Sequence, residues 1–86
     1  MPIIAEFYGI AVMMFFHEHN PPHFHARYQG KLAVFDIRAG KIIGGKFPPR
    51  AQRLVRDWIK LHKKELLANW ELALKDRKLK KIKPLE

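Results

Sequence analysis

Apolar residues alternate with polar ones through much of the first half of the chain and recur every three to four residues through the second. A period of two is the mark of strands, whose side chains project to opposite faces in turn, and a period near 3.6 is that of a helix. Residues 3–8 form a first expected strand, ended by Gly9, and residues 10–16 a second with almost no polar side chain. A run apolar on both faces predicts a central strand, or one covered on both sides. A polar loop over residues 17–22 follows, where Asn20-Pro21-Pro22 forces extended or turn geometry, because proline fixes its own φ and restricts the residue before it.

Gln29-Gly30 fits a two-residue hairpin loop between strands at 23–28 and 31–37. A loop of that length sets the register: Tyr28 opposes Lys31, Ala26 opposes Ala33 and Phe24 opposes Phe35. With Ile37 these residues share one face. The other face then carries Arg27 beside Leu32, His25 beside Val34 and His23 beside Asp36. Arg38-Ala39-Gly40 is expected to connect onward, Gly40 supplying a left-handed residue, into a strand at 41–46 where Gly44-Gly45 invites a bulge. Leu32, Val34 and Ile42 are expected to lie exposed, opposite the core face. Phe47-Pro48-Pro49 ends the sheet and is the one place for a hinge, with Pro49 at or just before a helix start.

From Arg50 onward, Leu54, Val55, Trp58, Leu61, His62, Leu66, Trp70 and Ala73 form an amphipathic stripe. No Gly or Pro marks a break, so one helix or two broken near residues 62–64 fit equally. The end, residues 75–86, is expected to be extended, with Ile82 and Leu85 docking back. The fold class is therefore α+β: a small curved antiparallel sheet of four to five strands (residues 3–47) followed by one long or two shorter C-terminal amphipathic helices (residues 49–76). A single domain over residues 1–86 is expected, with a β-rich half (1–47) and a basic helical half (48–86).

Charge changes this picture more than length does. The 17 Lys and Arg against eight Asp and Glu give a formal charge of +9 at pH 7. Residues 48–86 hold twelve of the basic and five of the acidic side chains. Such an excess steers association with RNA, DNA or an acidic protein. Arg27, Arg50, Arg53, Arg56, Lys60, Lys63 and Lys64 are the candidate binding residues. The chain has no cysteine, which excludes a disulfide framework and a thiolate metal site and makes the cytoplasm the expected location. No stretch of 18 apolar residues occurs and no basic segment precedes the first apolar run, so neither a membrane span nor a signal peptide is expected.

Four of the five histidines fall within nine residues, His17, His19, His23 and His25, in two pairs at i, i+2 spacing that would share a strand face. They are the candidate metal ligands, with Asp36 able to orient a ring from behind. The spacing matches no standard zinc signature, however, and no cofactor is expected. His23 and His25 with Arg27 also form a candidate catalytic set for metal-independent RNA cleavage, the imidazoles exchanging protons and the guanidinium meeting phosphate charge. Histidines that only satisfy hydrogen bonds in the sheet and loop are the plainer alternative. Gly44-Gly45-Lys46 lacks the spacing and the hydroxyl residue of a phosphate-binding loop.

Phe7-Tyr8-Gly9-Ile10, the run from Phe16 through Asn20-Pro21-Pro22-His23-Phe24-His25, Tyr28 and Gly30, and Leu61-His62-Lys63-Lys64-Glu65-Leu66 with Asn69-Trp70 closely resemble the small bacterial family catalogued as domain of unknown function 4160. The resemblance implies a stand-alone bacterial protein, often encoded beside a second small protein in an arrangement similar to toxin–antitoxin pairs, and hence a protein partner encoded nearby. It implies no reaction, ligand or catalytic residue. A non-enzymatic module that binds nucleic acid or an acidic protein partner is the leading expectation. A ribonuclease-like factor using His23 and His25, a structural homodimer, and a metal-binding protein are the alternatives.

Overall fold

The computed structural model of the protein describes residues 2–86. Five strands, β1 (Ile3–Phe7), β2 (Ile10–Met13), β3 (His23–Tyr28), β4 (Lys31–Asp36) and β5 (Lys41–Gly45), pair in chain order as an antiparallel meander, and one helix, α1 (Pro49–Leu74), follows. The architecture is the α+β arrangement that the change of period predicts.

Turn chemistry sets the first and third connections. Tyr8 and Gly9 have φ of 49° and 78°, and Gln29 and Gly30 have 49° and 77°. Two successive residues at positive φ make the turn whose twist matches that of the flanking strands. The β3–β4 register is accordingly the expected one in all six pairs, from His23 with Asp36 to Tyr28 with Lys31. β2 stops at Met13 instead of residue 16, since His17, with φ of 59°, turns the chain away.

The bulge expected near Gly44-Gly45 is present, and it corrects one assignment. Phe35 pairs with Ile42 and Val34 with Gly44, leaving Ile43 as the extra residue. Ile42 therefore shares the face of Phe35 and packs against the core, while Ile43 is exposed together with Leu32.

The helix is continuous in its span but kinked at His62, whose φ of −126° and ψ of 24° are not helical. Pro49 stands in the first turn, where its missing N–H costs nothing. The buried side is Ala51, Val55, Trp58, Ile59, Leu66, Asn69, Trp70 and Ala73. Leu61, counted in the sequence stripe, is 68% exposed. Three positions on from Trp58 carries it past the edge of the buried arc, and Ile59 and His62 take the inward places.

The core lies between α1 and the face of the sheet that bears Phe24, Ala26, Ala33 and Phe35. Trp58 meets Phe24 edge-on at 5.8 Å and Phe7 at 5.2 Å, and Phe47 closes against Phe35 at 5.7 Å. Beyond the helix the chain returns to the sheet. The Ile82 N–H donates to the Ile4 carbonyl at 2.8 Å, the Trp58 indole donates to the Lys83 carbonyl at 2.8 Å, and Ile82 is buried in the same core. Among the described residues no helix is long and apolar enough to cross a membrane.

Candidate functional site

β3 is the central strand, and its first residues present His23 and His25 on the face opposite Phe24. Across β2, Met13 pairs with His25 and is buried on that same face. The loop between β2 and β3, which holds the cis Asn20–Pro21 bond, folds back so that Glu18 reaches His23. The Glu18 Oε1 atom lies 3.4 Å from His23 Nε2. His23 Nδ1 donates to the Pro21 carbonyl at 2.7 Å. A carbonyl only accepts, so this bond fixes the ring's proton on Nδ1 and turns Nε2 toward Glu18.

His25 completes the group. Its donor atom and those of Glu18 and His23 all lie within 4.8 Å of one another. The two imidazoles are 5.6 Å apart, Phe15 closes edge-on against His25 at 4.6 Å, and the Trp70 indole lies 5.1 Å from His23. One side of the cluster is thus walled by aromatic rings. His25 Nδ1 is buried with no hydrogen-bond partner. Burial holds the His25 imidazole below its usual pKa; His23 pushes in the same direction and Glu18 opposes it.

The other histidines stand apart. His17 faces Asp76 at 3.5 Å with both side chains exposed, and His19 is exposed. His62 Nδ1 donates to Glu65 at 2.7 Å from the kink in α1. The structure therefore brings together His23 and His25 of the four proposed metal ligands and adds Glu18, which the sequence does not single out. The only signal for it is its place in the same short loop, since which way a loop side chain turns depends on the path of the whole loop.

Arg27 lies near the hairpin end of β3, away from Glu18. It lines a groove of about 420 Å³ with Tyr8, Gly9, Gln29 and Gly30. Tyr8, 58% exposed, also walls a second groove of about 520 Å³ with Tyr28, Arg50, Ala51 and Leu54. Arg53, Arg56, Lys60 and Lys64 continue along the solvent side of α1 and are exposed. Among the described residues none of these four, nor Arg50, lies within ion-pair distance of a carboxylate. Lys63 differs, because its ammonium donates to the Arg38 carbonyl at 2.9 Å and so ties the helix to the β4–β5 turn.

The model of the family described as domain of unknown function (DUF4160) matches residues 9–71. The chain belongs to this family. The DUF4160 match takes in Glu18, His23, His25, Arg27, Arg50 and the helix through Glu71, and leaves β1, Tyr8 and the docked tail outside it. No curated protein and no solved structure matches the chain.

Proposed function

We propose that this DUF4160 protein is a non-enzymatic module that binds single-stranded nucleic acid. The observation that carries the reading is Tyr8, an exposed aromatic ring standing between a groove lined by Arg27 and one lined by Arg50. The row of unpaired cations on α1 begins at the second groove. Aromatic rings that stack bases, beside guanidinium groups that meet phosphates, are the two elements of sequence-tolerant single-strand recognition. A neutralising acidic partner encoded nearby would use the same row of cations and compete with nucleic acid for it.

RNA cleavage has less support from the arrangement. Arg27, the residue assigned to the phosphate charge, lines the Tyr8 groove, while His23 turns its Nε2 to Glu18.

Fluorescence anisotropy with a short labelled RNA tests the reading. Affinity is expected to fall log-linearly with salt, and replacing Arg53 or Arg56 by Ala reduces the slope by about 0.7 per lost phosphate contact. Tyr8→Ala is expected to cost about 1–3 kcal/mol of binding. Binding that is absent at low salt, or indifferent to salt and to Tyr8, overturns it.

A further inference from the structure

We infer that Glu18, His23 and His25 form a binding site for one divalent transition-metal ion, zinc by preference, held by two imidazoles and a carboxylate with a coordination position left open. The inference is independent of the nucleic-acid reading, which uses the other end of β3.

Three observations lead to it. The first concerns the proton on His23. With Nδ1 committed as donor to the Pro21 carbonyl, the Nε2 of a neutral ring carries a lone pair, and that lone pair faces Glu18 Oε1. Two lone pairs so placed repel unless a cation stands between them. A proton shared in a direct charge-assisted bond would draw the atoms to about 2.7–2.9 Å. The observed separation is 3.4 Å. Two ligand atoms each about 2.0–2.1 Å from a tetrahedral zinc ion are about 3.3–3.4 Å apart. The Glu18–His23 spacing is that of one edge of such a tetrahedron, and the His25 donor lies within 4.8 Å of both atoms.

The second is the carbonyl behind His23. Metal-ligating histidines characteristically donate the other ring N–H to a carboxylate or backbone carbonyl, which fixes tautomer and ring angle and raises ligand basicity. Pro21 does this from within the loop that also delivers Glu18, so one short segment supplies a ligand and the support for another.

The third is His25. Its nearby donor atom completes a set of three, and its buried Nδ1 has no partner among the described residues. Phe15 and Trp70 bound the cluster with apolar surface, which strengthens attraction between a cation and the carboxylate by excluding water from that side. Nitrogen and oxygen donors with no thiolate suit zinc and its neighbours in the first transition row. Three protein ligands leave a fourth position for water or an anion, as in zinc sites that bind exogenous groups. His17 and His19 take no part, because both project to solvent outside the cluster.

The full chain, stripped with chelator and dialysed, is titrated with zinc sulfate by isothermal calorimetry. One ion per chain is expected. Glu18→Gln, His23→Gln and His25→Gln are each expected to weaken binding by at least about tenfold, a loss seen even on removing outer partners of a metal ligand. A His17→Gln/His19→Gln double variant is expected to bind as the parent does. No zinc binding by the folded parent, undiminished binding in His23→Gln and His25→Gln, or loss in the His17/His19 variant overturns the assignment. If the ligand variants do not fold, X-ray absorption of the parent's zinc complex decides. Two imidazoles with oxygen donors support the site, and none, or three or more, overturns it.

Discussion

Asn69 of α1 and Lys80 of the returning tail satisfy each other twice: the Asn69 amide donates to the Lys80 carbonyl at 2.8 Å and accepts the Lys80 N–H at 3.0 Å. Among the described residues Asn69 is the one buried polar residue, 1% exposed. A side-chain amide that mimics one step of a strand ladder fixes where residues 77–86 begin to follow the sheet edge, two residues before Ile82 enters the core.

Asn69→Ala is therefore expected to destabilise the fold by about 1–3 kcal/mol, since it removes both bonds and leaves two backbone groups short of a partner. Urea unfolding measures the loss. Amide exchange at Lys80 and Ile82 should quicken more than at β3, because the tail would open locally before the sheet does. Equal quickening in both would mean that the pair does not hold the tail in its own right.

Much of the fold is legible because it rests on short-range rules. Gln29-Gly30 requires a tight turn, the turn fixes the register, and the register sets Phe24 with Phe35 on the core face and His23 with His25 on the opposite face. The exceptions arise where distant parts of the chain decide. Asn69 reads as a polar interruption of an apolar stripe, and only the tail's return gives it partners. The His62 kink carries no Gly or Pro to announce it. Glu18 could not be told from its neighbours His17 and His19, since all three are polar residues of one loop and only the loop's path turns Glu18 inward.

Trp58 and Leu61 separate the true helix stripe from the apparent one. Trp58 is fully buried against Phe7 and Phe24, so Trp58→Ala is expected to cost about 3–5 kcal/mol. Leu61→Ala is expected to stay within about 0.5 kcal/mol, as for other exposed sites. Comparable losses in denaturant titrations would place the buried face of α1 wrongly.

Gly45 and Gly30 offer a second paired comparison. Both have positive φ, 74° and 77°, so alanine at either pays for left-handed backbone, about 1–2 kcal/mol. A Cβ on Gly30 meets nothing, whereas one on Gly45 would run into the Leu32 carbonyl oxygen and the Ala33 Cα across the bulge. Gly45→Ala is expected to lower the melting temperature well beyond Gly30→Ala. The reverse order would show that β5 can move away from β4 at little cost.

The lowered pKa of His25 gives stability a dependence on pH. Desolvation is the main cause, with His23 adding to it and Glu18 opposing. The folded state therefore releases the His25 proton at a lower pH than the unfolded chain, whose histidines titrate near about 6.5. Between those two values the unfolded state binds more protons, so stability rises with pH through the window. This contribution is complete above about 6.5 and is lost as pH falls through the folded value. Melting temperatures recorded in chelator, to exclude metal, are expected to decline on acidification below neutrality. Met13, Phe15 and Val34, which also lie beside this residue, carry no charge. His25→Gln is therefore expected to flatten the decline. A variant whose melting temperature follows the parent's at every pH would show that the His25 ring is not desolvated by the fold.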